Sequence, residues 1–298
     1  PVLTDPDLNH VRKSLAACEF IVLQEIFPSE TSEFADVLLP GASFAEKEGT
    51  FTNTERRIQR VHTAITSPGD ARPDWVVTAD LARRVLALEE RVPVGPQAGW
   101  NYASPSQIMD EVAAVTPSYA GVSHARLDRG DQLYWPILSP DHPGTPILHT
   151  ERFTCGKGKF HAIDHLPPKE LPDDEYPLVL TTGRLLEHWH TGAMSRRAGI
   201  LSSLEPVAIA CLNPRQLDKL GVAAGDTIRV RSRRGQIDIH ARADTDVPDG
   251  MVFIPFCFNE AAANLLTNPQ LDPIGKIPEF KFCAVKVETA AARADAAE

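Results

Sequence analysis

Residues 180–197, LTTGRLLEHWHTGAMSRR, concentrate more hydrogen-bonding chemistry than any other stretch of the chain. Arg184 offers a planar fork of five donors that matches a phosphate or the edge of a heterocycle. His188, His190 and Thr191 add donors and acceptors within one loop, and Thr182 and Gly183 lead into it, with Leu185 and Leu186 between. These residue types suit the holding of an anionic, hydrogen-bonding ligand. The plain alternative is a surface loop with two ordinary histidines.

The loop needs an element to carry it, and the sequence supplies one. Tyr176 to Thr182 is apolar and β-branched, bounded in front by Pro172 and Pro177 and broken by Gly183, which reads as a strand. A second polar set follows a second short apolar run. Phe20 to Leu23 predicts a parallel strand buried on both faces, with Gln24 and Glu25 at its C-terminal end. Before it, residues 5–17 read as a helix with Asp5 as N-cap, Pro6 first and Leu8, Val11 and Leu15 as its stripe. After it, Ser29 to Ala35 predicts a short helix containing Thr31, and Val37 to Leu39 a strand stopped by Pro40. Such alternation predicts a doubly wound α/β unit, in which ligands bind beyond the C-terminal strand ends. Gln24, Glu25 and Thr31 stand there. Against that, Glu25 also reads as a solvated acid and Thr31 as a helix cap.

Further on, Glu46 to Arg60 reads as a polar loop with a tight turn at Gly49. Asp74 caps a helix whose stripe of Val77, Leu81, Val85 and Leu88 faces a core. Val92 to Ser104 is a Pro- and Gly-rich linker, and Ser104, Pro105 and Gln107 start a helix that ends before Pro117. Residues 118–170 lack periodicity and are expected to wrap rather than to build a core. The C-terminal part then reads as short strands: Val207 to Ala210, a hairpin of Thr227 to Arg231 with Gln236 to Ala243, Met251 to Phe256, and Cys283 to Val287. Asn213 and Pro214 start a helix closed by Gly221. Many short strands with tight turns predict a closed barrel.

A chain of 298 residues with 43% hydrophobic content has room for two compact units. A net charge of −10 argues against a nucleic-acid partner, and no apolar run reaches membrane-spanning length. The five cysteines, Cys18, Cys155, Cys211, Cys257 and Cys283, are too widely spaced for a zinc or iron–sulfur site of their own. They read as buried reduced thiols of a cytoplasmic protein. The chain opens at Pro1 without a methionine, and a fragment or processed subunit is expected.

Taken with IVLQEIFPSET, ADVLLPGASFAEKEGTFTNTERR and ANLLTNPQLDPIGKIPEFKFCAVKVE, the 180–197 loop carries a resemblance that runs from Phe20 to Glu288. The chain resembles the C-terminal part of a molybdenum- or tungsten-dependent formate dehydrogenase catalytic subunit. Its wider family is the molybdopterin oxidoreductases that bind two pterin guanine dinucleotides. The resemblance implies an α/β doubly wound unit followed by a six-stranded double-psi β-barrel. The expected divisions are an α/β cofactor-binding part over 1–91, a proline-rich connection over 92–170 and a dinucleotide-binding barrel over 171–298.

It also implies cofactor contacts at Gln24, Glu25 and Thr31, along the Thr182–Thr191 loop, at Asn264, and at Phe280 and Lys281 of PEFK. Many relatives carry His where this chain has Cys257, so that position receives no role. Implied with these are a bis-molybdopterin guanine dinucleotide with Mo or W, formate as substrate, and electron-transfer subunits, NAD- or flavin-binding ones among them. The metal ligand and the iron–sulfur clusters are expected in an upstream part of the same subunit. A nitrate reductase or related oxyanion reductase is the alternative within the family. A cofactor-free relative, as in respiratory complex I, would be expected to lose the polar loop.

Overall fold

A computed structural model of the chain describes residues 1–92 and 99–290. In chain order the elements are α1 (Leu8–Ala16), β1 (Val22–Glu25), β2 (Val37–Pro40), β3 (Gly49–Thr52), β4 (Arg57–Val61), α2 (Asp74–Leu88), α3 (Pro105–Val115) and α4 (His124–Asp128). There follow β5 (Leu133–Tyr134), β6 (Leu178–Gly183), α5 (Gly199–Leu204), β7 (Ile209–Leu212), α6 (Pro214–Leu220), β8 (Thr227–Arg231), β9 (Gln236–Ala243), β10 (Met251–Pro255) and β11 (Cys283–Thr289). Part of the expected Val92–Ser104 linker lies outside the described residues.

Packing divides the chain into two compact units that cross the expected boundaries at 91 and 170. One comprises Pro1–Ile21, Ser29–Ala35 and Asp164–Glu298; the other comprises Val22–Pro28 and Asp36–Ile163. Residues 1–21 join the barrel unit because Leu3 and the fully buried Leu8 pack on Ala262 and Leu265. Helix α1 starts after Asp7 at φ 48°, so Asp5 and Pro6 lie in the preceding turn rather than at the cap.

In the barrel unit, β6 to β11 close into the expected six-stranded barrel, in the order β10-β6-β11-β8-β9-β7. Two pairs, β6 with β10 and β7 with β9, are parallel, as the double-psi arrangement requires. Alternation fills the interior: along β9 every second residue from Ile237 to Ala241 is buried, and Leu180, Leu212, Ile228, Val230, Val252, Ile254 and Val285 are all fully buried with them. The β8–β9 hairpin pairs Arg231 with Gln236. Asn213 caps α6 by accepting from the Arg215 N–H at 3.1 Å, and Gly221 ends it at φ 64°, a conformation cheap for glycine.

The other unit holds the parallel pair β1–β2, with Val22 opposite Val37, and an antiparallel sheet β3-β4-β5. Several expectations change here. The predicted polar loop is the β3–β4 hairpin: Gly49 begins a strand, and Arg56 at φ 68° donates to the Thr145 and Pro146 carbonyls at 2.9 and 2.8 Å. Residues after 118 do build a core, since Val122, Leu133 and Ile137 pack with Ile58 and Met109. Neither β1 nor the α2 stripe is buried: Val22 is 47% exposed, Leu81 52% and Leu88 84%. A parallel strand needs a layer on each face, and β1 has only β2 as strand neighbour among the described residues. Asp74 begins α2 without capping it and accepts instead from Gln24.

Cys211, Cys257 and Cys283 are buried in the barrel unit, whereas Cys18 and Cys155 are exposed, against expectation. Burial pushes the Cys211 and Cys257 thiols up to about 11 and the Cys283 thiol up to about 12, so all three stay protonated near neutrality. A water-soluble thiol reagent near neutral pH should therefore modify Cys18 and Cys155 in the native chain and the other three only after denaturation. Fast native labelling of Cys257 would contradict the packing. Truncating a barrel residue should be costly: Leu180→Ala is expected to lose about 2–5 kcal/mol in urea unfolding. Leu186→Ala, at a side chain 97% exposed, should stay within about 0.5 kcal/mol.

Candidate functional site

Strand β6 ends in the residues that open the site. Continuing the β6–β11 register, which sets Leu180 opposite Cys283, brings Thr182 beside Lys281. The Thr182 hydroxyl donates to the Phe280 carbonyl at 2.9 Å, and the Lys281 ammonium donates to the Thr182 carbonyl at 2.5 Å. Gly183 is required next: a Cβ there would meet the Phe253 ring at 2.4 Å. The chain then turns out through Arg184, and Gly192 at φ 75° turns it back, where a Cβ would lie 2.9 Å from the Cys257 carbonyl.

Between these glycines the loop borders a cavity of about 320 Å³ lined by Thr4, Thr182, Arg184, His190, Thr191, Phe256, Asn264, Phe280 and Lys281. All of these belong to the barrel unit. Arg184 is exposed, with its guanidinium 5.3 Å from the centre of the Trp189 ring. His190 adopts φ 52° and meets Phe256 edge-on at 5.3 Å. Among the described residues, no carboxylate lines this cavity. Two cations, hydroxyls and an imidazole thus converge, beside two phenyl rings, in a protein whose net charge is −10. Such a surface attracts an anion and offers flat apolar walls to a heterocycle.

Of the residues singled out in the sequence, the cavity brings together Thr182, Arg184, His190, Thr191, Asn264, Phe280 and Lys281. Gly183, Leu185 and Leu186 belong to the same strand and loop without lining it. Leu185 is partly buried and packs on the barrel core. His188 behaves differently from its expected role. It is completely buried, its Nε2–H donates to the Glu205 carbonyl at 3.0 Å, and its ring stands edge-on to Phe258. It holds the base of the loop. The carboxylate of Glu205 pairs with Arg242 at 2.7 Å, and that hydrogen bond keeps its pKa below the usual range.

Asn264 is also committed within the protein: its amide donates to the Leu3 carbonyl at 2.8 Å and its oxygen accepts from Thr267 at 3.3 Å. Thr31 is buried and accepts from the Val2 N–H at 3.2 Å. Gln24 and Glu25 lie at the end of β1, in the other unit. Gln24 donates to Asp74 at 2.6 Å, and the Glu25 carboxylate accepts from the Ile26 N–H at 2.9 Å. A cavity of about 530 Å³ in that unit has neither in its lining; it mixes Asp70 and Asp80 with Arg72 and Arg84. Asp80 is there held below the usual carboxylate range by hydrogen bonds from Arg83 and Arg84.

Two lining residues escaped the sequence reading. Phe256 follows β10 directly, where its place beside His190 depends on strand pairing. Thr4 lies in an opening segment with no periodicity, and only its packing on the barrel brings it to the cavity.

Two family models match: the molydopterin dinucleotide binding domain over residues 178–284, and molybdopterin oxidoreductase over residues 1–84. F420-dependent formate dehydrogenase 2 subunit alpha of Methanococcus maripaludis is 45% identical over 290 residues, 97% of this chain and 41% of that protein. F420-dependent formate dehydrogenase subunit alpha of Methanocaldococcus jannaschii is 43% identical over the same share of this chain and 42% of its own length. The chain thus spans about two fifths of the relatives it matches. Among solved structures, acetylene hydratase from Pelobacter acetylenicus shares the fold with a TM-score of 0.69 at 19% identity, over 96% of this chain and 42% of that one. The first model covers β6 to the start of β11, with the strand-end loop and every cavity-lining residue except Thr4; the chain belongs to the molybdopterin oxidoreductase family.

Proposed function

We propose that the chain is the cofactor-binding C-terminal portion of a formate dehydrogenase catalytic subunit. Its barrel cavity takes the phosphate-bearing end of a molybdopterin guanine dinucleotide. One observation carries this reading: a cavity with two cations and no carboxylate opens at the strand-end loop of a domain that matches a dinucleotide-binding model.

The donor set fits such a group. Arg184 and Lys281 would meet the diphosphate, Arg184 through two parallel N–H bonds and Lys281 as a compact charge. His190, Thr182 and Thr191 supply further polar contacts, and Phe256 and Phe280 wall the heterocycle. His188, buried beneath the loop, keeps its backbone in register. In the proposed enzyme a bis-molybdopterin guanine dinucleotide with Mo or W supplies the two-electron chemistry that turns formate into carbon dioxide and a proton. The residues described here bind and orient. The metal ligand and the iron–sulfur clusters belong, on this reading, to the upstream part of the subunit. Gln24 and Glu25 are proposed as contacts from the α/β part, at the strand ends where such units bind ligands. Thr31, tied to Val2, acts by holding the opening segment. The partners are electron-transfer subunits of a cytoplasmic complex. The relatives' names add an F420-linked acceptor to the NAD- and flavin-linked ones.

In the full-length subunit, Arg184→Lys should lower bound pterin and formate oxidation together, by about tenfold, because a bidentate contact becomes a single one. Normal cofactor content and turnover in that variant would exclude the role. The 298-residue chain alone should hold little molybdenum or tungsten and reduce no dye with formate, since a partial set of contacts no longer pre-organises the ligand. Stoichiometric metal with formate-dependent dye reduction would place the catalytic residues within this chain.

A further inference from the structure

The opening residues are tied closely to the barrel. The Val2 N–H donates to the buried Thr31 hydroxyl at 3.2 Å, and the Leu3 carbonyl accepts from Asn264 at 2.8 Å. The Asp7 N–H donates to Thr267, which itself donates to Asn264, both at 3.3 Å. Val2 and Leu3 are buried at 6% and 7% exposure. Leu3 also takes φ 95°, a backbone state that costs a branched side chain energy and persists only where its surroundings impose it.

These contacts place Thr4 on the cavity wall. Its hydroxyl donates to the Pro1 carbonyl at 3.2 Å, so the hydrogen is committed within the segment and the oxygen lone pairs are left as acceptors. Thr182 is in the same state, its hydrogen given to Phe280. The remaining charge in the lining consists of donors, Arg184 and Lys281. A ligand with an anionic part and an N–H-bearing ring would use both kinds.

We infer that Thr4 is a contact residue of the cavity, its hydroxyl oxygen accepting from an N–H of the bound nucleotide's base, and that Asn264 is its positioning residue. This rests on the dinucleotide reading above and adds a residue outside the matched barrel domain. Asn264 contributes through Leu3 and Thr4, its own amide being already spent.

The test uses guanosine 5′-diphosphate as probe and measures its Kd on the cofactor-free full-length subunit by titration calorimetry, with melting temperature as a fold control. Thr4→Val should weaken binding about 3- to 10-fold, the size of one lost hydrogen bond, while Thr4→Ser, which keeps the hydroxyl, should bind as the parent does. Asn264→Ser should weaken binding to a similar degree, and the double variant Thr4→Val with Asn264→Ser should bind no worse than the weaker single variant. Such non-additivity marks one residue acting through another. Thr4 is exposed, so Thr4→Val tests the contact even if Asn264→Ser loosens the barrel. Unchanged affinity in Thr4→Val overturns the contact, and fully additive losses overturn the positioning role. In both cases a loss in Arg184→Lys leaves the dinucleotide reading standing. If neither the parent subunit nor any variant binds the probe, that reading falls and takes this inference with it.

Discussion

The mouth of the barrel depends on a reciprocal tie between two segments about a hundred residues apart: Thr182 donates to Phe280, and Lys281 donates back to Thr182. Closure makes this tie available. In an open sheet the end of β6 and the residues before β11 would be free to splay, whereas a closed barrel fixes strand register all the way round. Once the register is set, Lys281 must lie beside Thr182, and its charge faces the same opening as Arg184. The polar cavity is thus a consequence of the hydrophobic pattern that closes the barrel.

Charge placement supports the same picture. Elsewhere in the barrel unit several arginines are paired with carboxylates: Arg196 with Glu260, Arg242 with Glu205, Arg234 with Glu170 and Arg229 with Asp238. The more exposed of these pairs add little stability, but each pair neutralises a positive charge. The cavity lining has no such partner for Arg184 or Lys281. Cations left uncompensated around a concave surface, in a strongly acidic protein, favour an anionic ligand at that place.

Local patterns were legible where local physics decides the structure. The alternating runs Thr227 to Arg231 and Gln236 to Ala243 gave the β8–β9 hairpin, Asn213, Pro214 and Gly221 bounded α6, and the apolar run ending at Gly183 gave β6. The residue types from Arg184 to Thr191 marked the loop that borders the cavity, yet not which histidine faces it. His188 and His190 are two residues apart, and only the tertiary packing buries one against Phe258 and exposes the other. Asn264 read as a ligand contact, because a sequence does not show that an amide is already satisfied by a distant carbonyl. The α2 stripe and the β1 run predicted burial by pattern alone. Pattern shows that a face is apolar; it does not show whether another layer packs against it. The core around Val122, Leu133 and Ile137 was missed for the opposite reason: it is assembled from short irregular pieces with no period to read.

The carboxylate-free cavity at the end of β6 is proposed to hold the diphosphate end of the dinucleotide. A structure of the full-length, cofactor-loaded subunit tests it most directly. Phosphate oxygens should lie within hydrogen-bonding reach of both Arg184 and Lys281. A dinucleotide bound elsewhere, with those two side chains facing water, would contradict it.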